Sequence, residues 1–268
     1  MGKTCAIVKP SIEVNTMKKS NRDSAAINLR KIKNRKEVDG CPTRACCVDL
    51  WGGEEIFGCI RDLTKFELAY KQDEFIYKMG DPVTSLFVIQ SGGIKLEKEV
   101  KGGATHVSGF YFPGDIIGLE SMDIEQYHYN AIAIKDTLVC EVRLKKLAIK
   151  DGAAVNIQQR INTILSRKFR EIDEHLYKTR YLHLDQRLLD FLNLLCTRNI
   201  EYVDNRLDRF VLPMTKSDLA NYLGMRPESL SRALRQLESQ GVVKNSKKSY
   251  LTVINKQKLL SEVKKIPA

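Results

Sequence analysis

The chain has 268 residues, enough for two average domains and a tail, and 43% of them are hydrophobic, enough for a buried core. A formal net charge of +11 points to an anionic partner. No run approaches the roughly 20 apolar residues of a membrane span, and the start, MGKTCAIVKPSIEV, lacks an apolar core followed by a small-residue cleavage site. A cytoplasmic, membrane-free protein is therefore expected. There, seven cysteines are buried thiols, metal ligands or redox groups rather than disulfides.

Residues 1–40 carry ten Lys/Arg against four Asp/Glu and few large apolar groups, which predicts a mobile basic tail. Residues 41–62 concentrate cysteine at Cys41, Cys46, Cys47 and Cys59, and EEIFGCIRDL has a short helical period. Residues 63–150 change character. Short alternating runs (EFIYKMG, SLFVIQSG, GIKLEKEV, HVSGFYFPG, NAIAIKD, LVCEVRL) are punctuated by Gly, Pro and Asp about every ten residues. That pattern predicts a compact β-roll. Residues 151–182 predict one long helix. Its apolar positions Ile157, Ile161, Leu165, Phe169, Ile172 and Leu176 step by 4, 4, 4, 3 and 4, forming one stripe. The stripe can pack on the roll or pair with a second copy, and a homodimer is the expectation. Residues 183–268 begin with another amphipathic helix, LDQRLLDFLNLLC, before Pro213 breaks the chain.

The stretch MTKSDLANYLGMRPESLSRALRQLESQGVV carries the strongest signal. Thr215 followed by Asp218 predicts a helix start. Gly224 permits a left-handed turn at its end, Pro227 suits the first turn of a second helix, and Gly241 ends that one. Leu230, Leu234 and Leu237 form the second helix's inner stripe, and Val242–Ile254 predicts a hairpin around Asn245–Lys248. Helix, tight turn, helix and hairpin make a winged helix-turn-helix, so the whole chain is predicted as α+β. Glu228, Ser231, Arg232 and Arg235 follow i, i+3, i+4, i+7 opposite the leucines. Arg pairs bidentately with guanine, Glu accepts from the cytosine amine, and Ser meets a base or a phosphate. An ordinary charged helix face is the bland alternative. The wing lysines Lys244, Lys247 and Lys248 are expected on phosphates, with a solvated hairpin as the alternative, and Thr215 is expected to bind DNA. An RNA-binding protein is a weaker alternative, since no aromatic platform is visible.

At these residues the chain resembles the cyclic-AMP receptor protein/FNR superfamily of bacterial transcription regulators, over residues 41–260. GDPVTSLFVIQSGGIKL and FYFPGDIIGLESM look like its β-roll, and TKSDLANYLGMRPESLSRALRQLESQG like its DNA-binding signature. The resemblance implies a cyclic-nucleotide-binding-like jelly roll, a dimerisation helix, RNA polymerase as a partner and no catalysis. The Glu228, Ser231 and Arg232 pattern looks like the FNR branch, which implies a TTGAT-N4-ATCAA-like palindrome. Arg226 and Pro227 depart from the family's residues and leave the outer bases open.

The resemblance also bears on the signal. A cyclic-nucleotide sensor of the family needs an Arg-Ser pair where EQYHYNAIAI has Tyr129 and Asn130, with His128 as the nearest candidate cation, so no cyclic AMP is expected. The FNR branch holds a [4Fe–4S] cluster with three N-terminal cysteines and one in the roll. Cys41 and Cys47 match two of the former and Cys140 the latter, while Val38 stands where the first belongs. Cys46 or Asp39 is the candidate fourth ligand. A thiol switch, a zinc site and inert thiols in a constitutive regulator remain open beside oxygen sensing. Cys196 is expected in a core.

Overall fold

The computed structural model describes residues 35–37, 64–100, 102–144, 153–197, 203–204, 209–245, 251–253 and 255–264. In chain order, the N-terminal strands are β1 (Arg35–Glu37), β2 (Thr64–Tyr70), β3 (Phe75–Tyr77), β4 (Ser85–Ser91), β5 (Ile94–Glu99), β6 (Thr105–Tyr111), β7 (Ile116–Ile117), β8 (Asn130–Ala133) and β9 (Thr137–Arg143). They form two sheets, β1-β2-β9-β4-β7 and β3-β8-β5-β6, whose pairings are antiparallel. Leu86, Val88, Ile89, Ile94, Leu96, Ile117 and Val139 are buried in this roll. The Gly-rich turns occur where the alternation breaks. At Gly92, φ is +97° and an added Cβ would sit 2.3 Å from Thr137 Oγ1. That hydroxyl accepts from Gly93 N–H and donates to Gly93 O, both at 3.0 Å.

One strand departs from expectation. Arg35–Glu37, inside the stretch predicted as a basic tail, pairs with Leu68–Phe66 of β2.

The helix α1 (Ala153–Tyr181) follows, then α2 (Leu184–Thr197). After β10 (Val203–Asp204) and β11 (Arg209–Val211) come α3 (Lys216–Tyr222), α4 (Pro227–Ser239), β12 (Val243–Asn245), β13 (Leu251–Val253) and α5 (Lys256–Val263). The predicted hairpin is the β12–β13 pair, but it belongs to a larger sheet, β10-β11-β13-β12. Sequence periodicity missed β10 and β11, which are two and three residues long, and α5. Leu188, Leu192 and Leu195 of α2 enter one core with Leu219, Leu230, Leu234, Leu237 and Leu259, and Cys196 lies in it as expected. Each such burial contributes roughly 1.5–3 kcal/mol. The same cluster includes Phe112 and Ile134 of the roll, so the two halves share apolar contact.

The stripe on α1 is divided between covered and exposed positions. Ile161 and Ile164 are buried against the chain itself, while Leu165, Phe169, Ile172 and Leu176 are 41%, 72%, 59% and 51% exposed. Ile161 is thus corrected from seam to inner face. On the polar side, Lys168 Nζ reaches Asp115 at 3.5 Å and Glu171 at 2.8 Å and lies over the Tyr111 ring. Among the described residues, no helix is long and apolar enough to cross a membrane.

Gly92→Ala is expected to cost on the order of 2–5 kcal/mol in denaturant unfolding, because it adds a clash to a left-handed backbone. Gly102, at φ +96° with open space around it, should cost only about 1–2 kcal/mol on the same change.

Candidate nucleic-acid interface

α3 starts where Thr215, in extended conformation, accepts a hydrogen bond from Asp218 N–H at 3.1 Å. The Thr215 hydroxyl keeps its proton as a donor, and the residue is exposed. α3 ends in a glycine-capped turn. Met225 N–H donates to Ala220 O at 2.9 Å and Gly224 N–H to Asn221 O at 3.1 Å, with Gly224 at φ +63°. Pro227 then occupies the first turn of α4, with Glu228 beside it near the positive end of the helix dipole. Gly241 closes α4 in the same way: Val242 N–H donates to Leu237 O, and Gly241 N–H donates to Glu238 O. The turn between α3 and α4 therefore has few degrees of freedom.

α4 has two distinct sides. Leu230, Ala233, Leu234 and Leu237 are buried. Glu228, Ser231, Arg232 and Arg235 are all exposed, along with Arg226. Arg235 Nε donates to Ser231 O at 3.3 Å, which lays its stem along the helix. Two cations, one anion and one hydroxyl on one open helix face match the hydrogen-bonding edges of base pairs. Lys244 on β12 is exposed as well. Lys247 and Lys248 lie outside the described residues.

The interface is held from behind. Asn221 Oδ1 accepts from Val107 N–H of β6 at 2.7 Å, and Asn221 Nδ2 donates to Thr105 O of the same strand. Lys95 Nζ on β5 bridges Glu97 at 2.8 Å and Asp218 at 3.1 Å. Burial works against this ammonium, but the bonds to Glu97 and Asp218 outweigh it and hold Lys95 above its usual range. Tyr222 is a meeting point: Phe110 of β6 packs edge-on at 5.3 Å, Phe191 of α2 lies at 5.4 Å, and His175 of α1 stacks at 4.5 Å. Sequence reasoning missed Asn221. An asparagine inside the short helix LANYLG, with little helix preference of its own, was the available signal.

In the roll, the place of the family's phosphate-binding pair is occupied. Asn130 Oδ1 accepts from Met79 N–H at 2.8 Å. Tyr129 packs edge-on against His128 and lies under Lys98 Nζ, 5.1 Å from the ring centroid. Lys98 also reaches His128 Nε2 at 3.3 Å. Lys98 is a cation there that the sequence reading overlooked, because β5 delivers it from thirty residues away. Close by, Tyr77 and Tyr127 stack at 3.8 Å, and Tyr127 donates to Ser85 O.

Cys140 lies buried in β9, where Gln90 Nε2 donates to its sulfur. Its cross-strand neighbour is Glu67 of β2, itself 8% exposed, whose Oε1 has no hydrogen-bond partner among the described residues. A thiol and an orphaned carboxylate oxygen on one sheet face are a donor pair that suits iron. Among the described residues no third donor joins them. Cys41, Cys46, Cys47 and Asp39 lie outside those residues, as does the helical period at EEIFGCIRDL.

Comparison with known proteins gives a consistent result. Residues 67–148 match the family described as cyclic nucleotide-binding domain, and residues 186–262 the Crp-like helix-turn-helix domain. The chain is 26% identical over 220 residues to the transcriptional activator protein FnrA of Stutzerimonas stutzeri, covering 82% of this chain and 89% of that one. It is 26% identical over 252 residues to the electron transport regulator A of Shewanella oneidensis, covering 93% and 95%. Among solved structures, FixK2 from Bradyrhizobium japonicum superposes with a TM-score of 0.61 at 28% identity, covering 73% of this chain and 95% of that one.

His175 supplies a pH test of the docking. Burial lowers its pKa, Lys178 and Arg187 lower it further, and a backbone hydrogen bond at Tyr222 and the charge of Asp190 oppose them without prevailing. The folded chain therefore favours neutral imidazole. Its stabilising contribution should be complete above the usual imidazole pKa of about 6.5 and be lost as pH falls below it toward the lowered folded value. Unfolding measured from pH 7.5 to 5 should show this slope, and His175→Phe should flatten it.

Proposed function

The chain belongs to the cyclic-AMP receptor protein/FNR superfamily of DNA-binding transcription regulators, and we propose that it works as a homodimer reading a TTGAT-N4-ATCAA-like palindrome. The observation that carries this reading is the exposed Glu228, Ser231, Arg232 and Arg235 face of α4, backed by a fully buried leucine stripe. Glu228, Ser231 and Arg232 meet base edges and Arg235 supports them. Thr215, Lys244 and Lys247 meet phosphates and set register. The exposed seam of Leu165, Phe169, Ile172 and Leu176, spaced 4, 3 and 4, pairs with a second copy; Ile157, on the same stripe by spacing, lies outside the residues whose side chains are described. Two recognition helices then enter successive major grooves about one helical turn apart. RNA polymerase is the partner that would convert such binding into transcription; the Stutzerimonas relative is named a transcriptional activator.

The signal proposed is oxygen. Cys140, with Cys41 and Cys47, would hold a [4Fe–4S] cluster, and Cys46, Asp39 or the orphaned Glu67 Oε1 supplies the fourth donor. Bound there, the cluster supplies an oxygen-labile centre. The rest is done by the chain: β9 and β2 fix two donors rigidly, and the α1 seam sets the dimer equilibrium that the signal biases. A cyclic nucleotide is the lesser reading, since Tyr129 and Asn130 offer no guanidinium for its phosphate and Lys98 is held on the Tyr129 ring.

Arg232→Ala should cost about 1–3 kcal/mol on the palindrome and relax preference at one base pair, measured by binding to single-base variants of the duplex. Equal weakening on every duplex assigns Arg232 to phosphate instead. Purification without oxygen should yield iron and sulfide in near-equal amounts, with DNA affinity falling on exposure to air. A protein lacking both elements rules out the oxygen reading and leaves the DNA reading intact.

A further inference from the structure

β6 is the outer strand of the sheet β3-β8-β5-β6. An outer strand presents backbone N–H and C=O groups that a neighbouring strand would otherwise satisfy. Thr105 O and Val107 N–H point to the same side, two residues apart, and the Asn221 amide meets both. A strand residue lying opposite His106 would donate and accept in the same way. One side chain of α3 therefore stands in for the missing strand. Beside it, Lys95 ties β5 to Asp218 in a partly buried bridge, and Tyr222 inserts between Phe110 of the roll and His175 of the long helix.

We propose that Asn221, supported by Lys95 and Asp218, is a positioning latch that sets the angle of the recognition helix relative to the dimer seam, and so fixes the half-site spacing the protein accepts. The inference rests on the DNA reading above. Three features make the latch a matter of specificity as well as of folding. The latch joins α3 to the roll while α4's polar face stays open, so the latched arrangement is competent to meet DNA. Its bonds run between parts of the chain over a hundred residues apart, so they hold one domain against the other rather than building either. Finally, α1, which carries the seam, joins the same node through His175 and through Lys178, whose Nζ lies 3.0 Å from Asp190 of α2. Releasing the latch would leave α4 folded on its leucines but free to swing, so that the second half-site is no longer presented at a fixed distance.

The test uses the full chain as Asn221→Ala and, separately, as Lys95→Met. Each is measured on three duplexes: TTGAT-N4-ATCAA, the same with the gap lengthened by one base pair, and a single half-site. The wild type should prefer the four-base-pair gap. Both variants should bind the single half-site as the wild type does, yet lose about tenfold on the palindrome as the effective concentration of the second domain falls, and so discriminate less between gaps. Variants that keep the wild-type ratio between gaps overturn the latch and leave the DNA reading standing. A uniform loss on all three duplexes, with a lowered melting temperature, also overturns it, since that is the mark of unfolding. A wild type indifferent both to the half-site sequence and to the gap overturns both readings.

Discussion

Burial of Leu230, Ala233, Leu234 and Leu237 determines which side of α4 meets water, and the rest of the DNA-facing geometry depends on it. A helix of thirteen residues would be marginal alone, and its stability comes from the face it hides. Rotating α4 by nearly half a turn would put Arg232 on the core side and expose leucines in its place. The glycine turn that closes α3 just before it and the one at Gly241 that ends it leave little slack for that rotation. The polar face is open because the apolar face has nowhere else to go.

The same division of labour operates on α1. Ile161, Ile164 and Lys168 anchor it to its own chain, and Leu165, Phe169, Ile172 and Leu176 form a row that the described residues leave exposed. A rigid rod anchored on one side and apolar on the other joins the roll to the DNA-reading domain mechanically. The node at Tyr222 is where rod, roll and α3 converge.

The roll keeps the family's shape. Within it, Tyr77 stacks on Tyr127, the Asn130 side chain accepts from Met79 N–H, and Lys98 lies over the Tyr129 ring. The distinctive group lies elsewhere, on the other sheet, where Cys140 and Glu67 face each other across β9 and β2. A carboxylate oxygen with no hydrogen bond among the described residues is costly in a buried sheet.

Local sequence determined a good deal of this protein. Alternation with Gly-Asp-Pro punctuation specified the roll, Thr215, Gly224, Pro227 and Gly241 bounded the two DNA-reading helices, and leucine spacing specified which side of α4 was polar. These signals are local because capping and periodicity act within one or two turns of chain. The stripe on α1 was legible as apolar but not as divided, because nothing in its 4-4-4-3-4 spacing distinguishes an isoleucine that its own chain covers from one left exposed. The short strands β10 and β11 were invisible, being too brief for a period. Only the tertiary structure decided that Asn221 would complete the open side of β6, that Lys95 would find Asp218, that Lys98 would stand beside Tyr129, and that Glu67 would face Cys140. Those pairings join residues from about thirty to more than a hundred and twenty positions apart, and distance in space across such a span is set by how sheets and helices pack, which no local pattern of residues records.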